Sequence, residues 1–437
     1  MSGQQDTIKK LLAFFSRKII AKYKPLVIGI TGSIGKTSTR HAIATALSAK
    51  FNLREPEKNF NNEIGIPLTI IGARGLDEGS FKIGPIQFGW IRIFAKAIVT
   101  WLCPQKYPKV LVLEYGIDHP GEMDVLLDIA QPKIAVLTTI GVSHKEHFPD
   151  NEAIAFEKGK MAERLPSNGI FVYNADDVNV RAQSKRSNAH LLSYGRLSEE
   201  RSGQNVKADV ILQKVEETLS LNPMTKIFIK SPVREIKVTI PAVGTAHVEA
   251  VLAAVSVCEA LQIDTDFILK GLSGYRGVPG RLNILSGIKR SVLIDDTYNA
   301  APLSTTEALQ LLHRFPVAHK VAVLGDMLEL GDVSATAHEE IGRLVASLKL
   351  QQLVTVGQLG RKIAESALQS GMNQKNITPF DNSDEAKSFV LQTLQPDSVV
   401  LIKGSQGMRM EKITKELLAE PMSASHVLVR QYGHWLD

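Results

Sequence analysis

The apolar positions of this chain fall into short, nearly continuous runs separated by stretches of helical character. Runs of this kind occur at Leu26–Ile30, in Lys109–Gly116, in Pro132–Ile140 and at the start of Phe171–Asp177. Strands buried on both faces of a parallel sheet read this way, whereas half-exposed strands alternate with a period of two. Helical patterns at His41–Ala49 and Glu152–Leu165 lie between them, so strand and helix alternate as in an α/β layer structure. From Lys185 to Ile240 the pattern turns polar and alternating (Val206–Val215, Lys226–Ile229, Ile236–Ile240), which predicts antiparallel strands appended to the parallel sheet. An Ala-rich helix is expected at Gly244–Ala260, followed at Gly271–Arg281 by a run dense in turn residues that reads as a domain boundary. A second strand and helix series follows, with strands at Ser291–Ile294, Lys320–Leu324, Gln352–Val356 and Ser398–Ile402.

The polar residues that end these strands are where ligands bind in an open α/β sheet. The first strand leads into Thr31-Gly-Ser-Ile-Gly-Lys-Thr-Ser38 and then a helix. Gly32 and Gly35 let backbone N–H groups wrap a phosphate chain at a helix N-terminus, with Ser33 and Ser38 in the same loop. Lys36 is then placed to reach β- and γ-phosphates, and the Thr37 hydroxyl to sit on Mg²⁺. The loop is a compact variant, since Ile30 stands where the strict phosphate-loop pattern has its first glycine. Glu114 ends the next buried strand, where a second Mg²⁺ ligand belongs. His144 lies just past a third strand end on the same edge. Asn59, Asn61 and Asn62 precede Gly65-Ile-Pro-Leu68, either as turn formers or as a substrate or nucleotide rim. In the second half, Asp295-Asp296-Thr-Tyr-Asn299, Gly325-Asp326 and Lys403-Gly-Ser405 stand at strand ends. Both halves thus present polar strand ends, as if to one cleft.

Composition changes this picture little. Over 437 residues, 44% hydrophobic and 22% charged content describe an ordinary folded chain, long enough for two or three domains. Its two cysteines, Cys103 and Cys258, cannot build a disulfide framework and are expected to be packing residues, which suits a reducing cytoplasm. A formal charge of +6 is compatible with a polyanionic nucleotide, and no basic stripe interleaved with aromatics points to nucleic acid. Thr7–Lys24 reads as a basic amphipathic helix, and Phe81–Cys103 is apolar but broken by Lys82, Arg92 and Lys96. Neither spans a bilayer. Packing on the protein body is the leading expectation for both, and peripheral membrane contact is the alternative.

In order along the chain, Thr31–Thr37, Asn59–Thr69, Glu114-Tyr-Gly116 with Pro120-Gly-Glu122, and His144-Lys-Glu146 form a recognisable series. It continues through Asn174–Asp177, Gly280-Arg281, Asp295–Pro302, Leu324–Gly331 with His338, and Lys403–Glu411. The series resembles the Mur ligases, and within them the MurF type, which adds D-alanyl-D-alanine to UDP-N-acetylmuramoyl-tripeptide in peptidoglycan precursor synthesis. The resemblance implies an α/β fold: a P-loop central domain with a mainly parallel sheet (25–279, with an insertion at about 76–108) and a smaller Rossmann-like C-terminal domain (280–437), preceded by a basic helix (1–24). It also implies a cytoplasmic, monomeric enzyme that uses ATP and two Mg²⁺ ions. Lys36 would bind the ATP phosphates, Thr37 and Glu114 one Mg²⁺, and His144 the second, bridged by a carbamylated Lys158. Arg281, Asp296 and Asn299 would contact the nucleotide. Asp326, Lys403 and Ser405 would belong to the domain that closes on the incoming amine.

The chain departs from the family pattern at three places. MurF members carry an N-terminal UDP-binding domain, whereas only residues 1–24 precede the first strand, so the helix and the 76–108 insertion are candidates for that role. Ala246, His247 and Ala250 replace a His, an Asn and an Asn, and Lys160 replaces a carboxylate beside Lys158. Two other readings stand beside the leading one. One is a Mur-fold ligase with another carboxylate acceptor, such as a different wall peptide, a poly-amino acid or a folate-like polyglutamate. The other is a membrane-peripheral ATP-binding protein without ligase activity.

Overall fold

A computed structural model describes residues 2–56, 60–73, 88–141, 147–196, 208–432 and 435. Fifteen strands among them form two sheets. The first nine are β1 (Leu26–Thr31), β2 (Leu53–Arg54), β3 (Val110–Glu114), β4 (Ile134–Leu137), β5 (Ile170–Asn174), β6 (His190–Gly195), β7 (Val210–Thr218), β8 (Met224–Lys230) and β9 (Glu235–Ile240). They assemble in the order β2-β3-β1-β4-β5-β6-β7-β8-β9. The other six are β10 (Asn283–Ser286), β11 (Val292–Asp296), β12 (Lys320–Gly325), β13 (Gln352–Val356), β14 (Ile377–Phe380) and β15 (Val399–Lys403), in the order β10-β11-β15-β12-β13-β14.

The unbroken apolar runs follow from burial on both faces. Ile28, Ile30, Val110, Val112 and Val136 pack under the helices Lys36–Ser48 and Thr245–Ala260. Their neighbours Val27, Leu111, Leu113 and Leu137 point the other way, into a core shared with the N-terminal helix Ser2–Tyr23 and the helices Gly65–Ile71, Phe88–Leu102 and Asn151–Glu163. The switch at the end of the large sheet differs from the alternation reading in one respect. β7 pairs with β6 in parallel, and only β7-β8 and β8-β9 are antiparallel. The β6–β7 connection falls among residues 197–207, outside the described residues together with Val206. The short edge strands β2, β10 and β14 carry too few apolar residues to stand out in the sequence. Cys258 is buried as expected, but Cys103 is exposed just past the end of Phe88–Leu102, so it is no packing residue.

In both sheets the parallel strands run the same way toward a shared interval. The carboxyl ends of β1 and β3 face those of β11 and β15 across a cleft of about 390 Å³. No described helix is long and apolar enough to cross a membrane.

Candidate active site

The phosphate loop is shaped by two glycines. Gly32 has φ +148°, and a Cβ there would lie 2.0 Å from the Thr138 Oγ1 on the neighbouring strand end; Gly35, at φ +84°, is the left-handed N-cap of helix Lys36–Ser48. Only glycine takes these conformations without strain. The loop therefore turns back tightly enough for the Lys36 ammonium to donate to the Gly32 and Ser33 carbonyls, at 2.8 and 3.3 Å. Burial lowers the Lys36 pKa and the nearby Arg281 adds to it, against the opposing pull of Glu114 and Asp118.

Glu114, buried at the end of β3, is the hub of this wall. Its Oε2 accepts from the Thr37 hydroxyl at 3.0 Å, its Oε1 accepts from the Asn61 amide at 3.2 Å, and the Arg40 Nε lies 3.7 Å away. Burial alone would raise its pKa, but Lys36, Arg40 and Arg281 outweigh that and hold it ionised, below the ordinary carboxylate range. Arg281 comes from the opposite side of the cleft. Its Nη2 donates to the Thr37 hydroxyl at 3.0 Å while its guanidinium lies 4.1 Å from the centre of the Tyr298 ring, and its buried Nε has no partner among the described residues. One hydroxyl thus joins a carboxylate of the large-sheet wall to a guanidinium of the small-sheet wall.

Lys158 is almost completely buried on helix Asn151–Glu163 and has no hydrogen-bond or ion-pair partner among the described residues. Burial, then the positive charge of Lys36, push its pKa well down; Asp118, Glu157 and Glu114 pull weakly the other way. The flanking groups are engaged elsewhere. Glu157 accepts from the Gly121 and Met123 N–H groups, and Lys160 pairs with Asp124 and Glu157, both at 2.7 Å. The Lys160 that departs from the family pattern is therefore turned outward from Lys158.

On the small-sheet wall, the Lys403 ammonium pairs with Asp296 at 2.6 Å and donates to the Asn299 carbonyl at 3.0 Å. Asp296, Asn299 and Lys403 line the cleft, as do Ser33, Gly35, Lys36, Thr37, Ser38, Asn61 and Asn62. Asp326 and Ser405 do not. The Asp326 carboxylate accepts from the Gly360 N–H at the start of helix Gly360–Gln369, at 2.6 Å, and the Ser405 hydroxyl accepts from the Leu328 N–H at 2.8 Å. They hold the loop whose Leu328, Glu329 and Leu330 form part of the wall. Asn62 serves the turn, accepting from the Ile64 and Gly65 N–H groups. Of the two readings of this segment, Asn61 takes the rim and Asn62 takes both. Asn59 and His144 lie outside the described residues.

Neither helix offered for UDP recognition lines the cleft among the described residues. The departures at Gly244–Val251 have local reasons: His247 is a core residue whose Nδ1 meets the Tyr275 hydroxyl at 2.8 Å, and Ala246 leaves open wall. A second cavity, which shares Ile34, Gly35, Ala246 and Glu307 with the first, continues past the loop to Asp176, Asp177 and Glu249. Sequence reasoning passed over Arg40 and Tyr298. Arg40 could have been found by helical spacing, three residues after Thr37 on the same helix; Tyr298 stood in a noted motif without a role.

Comparison with known proteins places the fold in a family. Residues 102–258 match the family described as Mur ligase middle domain, and residues 280–406 match the Mur ligase, glutamate ligase domain. The chain is 30% identical over 399 residues to the UDP-N-acetylmuramoyl-tripeptide–D-alanyl-D-alanine ligase of Bacillus subtilis, covering 91% of this chain and 77% of that protein. It is 26% identical over 392 residues to the enzyme of the same name from Escherichia coli, covering 90% and 76%. Among solved structures, MurF of Acinetobacter baumannii superposes with a TM-score of 0.74 at 27% identity, over 94% of this chain and 80% of that one. MurF of Thermotoga maritima, in complex with ADP, gives 0.74 at 25% identity, over 93% and 83%.

Proposed function

The chain belongs to the Mur ligase family, and from that premise we propose that it is an ATP-dependent ligase joining D-alanyl-D-alanine to the terminal carboxylate of UDP-N-acetylmuramoyl-tripeptide. The observation that carries this reading is the Glu114–Thr37–Arg281 bridge across the cleft, beside a half-buried lysine on a phosphate loop. A carboxylate is a poor electrophile. Phosphoryl transfer from ATP converts it to an acyl phosphate, and the amine then displaces phosphate, so the protein has to position and neutralise rather than react covalently.

Each residue has a part in that. The loop N–H groups and Lys36 receive the phosphates; Lys36 exchanges its two loop carbonyls for phosphoryl oxygens. Arg281, held over Tyr298, offers a second cation to the transferring group. The nucleoside would lie in the second cavity, which begins at Gly35 and Ala246, while Asp296 and Asn299 line the first. Thr37 and Glu114 are hard oxygen donors 3.0 Å apart, a set that suits Mg²⁺; the ion supplies charge neutralisation at the phosphates. His144 is proposed for a second ion.

Lys158 is suited to carbamylation. Burial and the nearby charge of Lys36 disfavour its protonated form, and a neutral amine nitrogen there can attack the carbon of CO₂, lose a proton and become an anionic carbamate. That would convert a buried amine with no partner among the described residues into an anion that Lys36, whose charge it feels, would favour. We place the domain limits at 1–24, 25–279 with the 76–108 insertion, and 280–437, with the protein acting as a monomer. Lys403 belongs to the wall that meets the amine, while Asp326 and Ser405 act by holding that wall's loop.

The test is to follow phosphate release and product mass with ATP, Mg²⁺, UDP-N-acetylmuramoyl-tripeptide and D-alanyl-D-alanine. Release dependent on both acceptor and amine is expected. Release indifferent to either one sinks the substrate assignment.

A further inference from the structure

The helices Ser2–Tyr23 and Phe88–Leu102 remain outside the catalytic reading. They pack side by side against the large sheet through Leu12, Ile19, Ile93 and Ala97. Their junction is tied at one end. The Lys22 ammonium donates to the Cys103 carbonyl at 2.7 Å, the Tyr23 hydroxyl donates to the Thr100 carbonyl at 2.9 Å, and the Tyr23 and Tyr107 rings stack at 4.5 Å. Carbonyls at the end of Phe88–Leu102 and just past it are thus satisfied by the neighbouring helix, which joins the pair into one plate.

The outer surface of that plate is apolar where a soluble helix pair is polar. Leu11, Phe14, Ile91, Ile98, Val99 and Leu102 are between 39 and 61% exposed. Ile91, Ile98 and Leu102 recur at helical spacing along one face, and Phe14 meets the Trp101 ring edge-on at 5.9 Å, which joins the two helices into one patch. The two segments that carry it are strongly basic. Residues 1–24 carry six Lys or Arg against Asp6 alone, and residues 88–109 carry four against none. These two segments hold +9 in a chain whose total is +6, so everything else sums to −3. The Lys18 ammonium lies 5.5 and 5.9 Å from the Phe14 and Trp101 ring centres, at the edge of the apolar patch with its charge free to reach outward.

We propose that this plate docks the protein, in plane, on an anionic lipid bilayer. The apolar residues would enter the headgroup boundary, and Lys10, Arg17, Lys18, Arg92 and Lys106 would meet lipid phosphates. A second copy of the chain is the poorer occupant, because it would bring two strongly basic faces against one another. The docked plate also connects to the active site: the Lys9 ammonium pairs with Glu63 at 3.1 Å, and Glu63 lines the cleft. The cleft would then work close to the bilayer surface.

The proposal does not depend on the ligase reading, since its measurement is flotation with vesicles of phosphatidylcholine alone or with phosphatidylglycerol added. Binding at least about tenfold stronger to the anionic vesicles, weakened by salt, is expected. Ile98→Glu with Leu102→Glu should cut it by about tenfold or more; both side chains are exposed, and an unchanged thermal melt shows that the variant is folded. Equal binding to both vesicles, no binding to either, or binding indifferent to the double substitution overturns the proposal. So does an Ile98-dependent dimer, or retention of an acidic protein in place of lipid.

Discussion

The two walls of the cleft use charge in opposite ways. On the large-sheet side, Lys36 leans on two carbonyls, Glu114 is held ionised by three surrounding cations, and Lys158, buried and not itself lining the cleft, has no partner among the described residues. On the small-sheet wall, Lys403 and Asp296 neutralise one another, Asp326 is spent on a helix N-terminus, and Asp295 accepts from Thr297, Thr414 and the Gly280 N–H. Buried unpaired charge is costly, and a structure that keeps it does so where a charged ligand will complete it. One wall is therefore built to receive phosphate and metal, the other to hold its own shape and present Arg281 and its loop.

Substitutions that strike the receiving wall test this contrast most severely. Lys36→Ala should lower ligase turnover by about a thousandfold or more while leaving the melting temperature unchanged or raised, since a partly desolvated charge is removed. Steady-state phosphate release and a thermal melt read the two effects, and a variant that keeps full turnover removes the ligase reading altogether. Lys158→Ala should cost roughly a hundredfold, with partial rescue by added acetate or formate standing in for the carbamate; wild-type enzyme depleted of CO₂ should lose activity in parallel. If neither rescue nor depletion alters the rate, Lys158 acts as an ammonium or only as packing.

Arg281→Lys sharpens the bridge between the walls. The shorter, non-planar cation cannot both lie on Tyr298 and reach Thr37, so kcat should fall by about ten- to a hundredfold. On the holding wall the expectation reverses. Asp326→Ala should cost about 0.5–2 kcal/mol in denaturant unfolding, through loss of the helix cap, and change turnover only a few-fold. A collapse of activity at unchanged stability would instead make Asp326 a substrate group.

The smallest effect concerns pH. Burial, opposed by its hydrogen bonds, raises Asp295 to about 7, so the folded protein holds that proton across a range in which the unfolded chain has released it. Stability should therefore fall as pH rises from about 4 to about 7. Asp295→Asn should flatten this slope, which is visible as a smaller difference between melts at pH 5 and pH 8.

How much of this was legible in the sequence follows the same division. The receiving wall is local: strand, glycines, lysine and threonine are consecutive, and Glu114 ends a run apolar enough to be buried. The holding wall is not. Nothing near Asp326 in sequence distinguishes a substrate carboxylate from a helix cap, because its partner Gly360 is 34 residues away. Nor does the spacing reveal that Lys403 is neutralised by Asp296, 107 residues earlier.

The sequence by itself determined the strand and helix order, the phosphate loop and the polar strand ends, because backbone periodicity and glycine conformation act over a few residues. Tertiary structure alone decided which charges were left unpaired among the described residues. It brought Arg281 to Thr37 across 244 residues, turned Lys160 away from Lys158, and set two basic helices side by side with their apolar face outward. Pairing, desolvation and exposure depend on distance in space, and that distance is settled only when both sheets are packed.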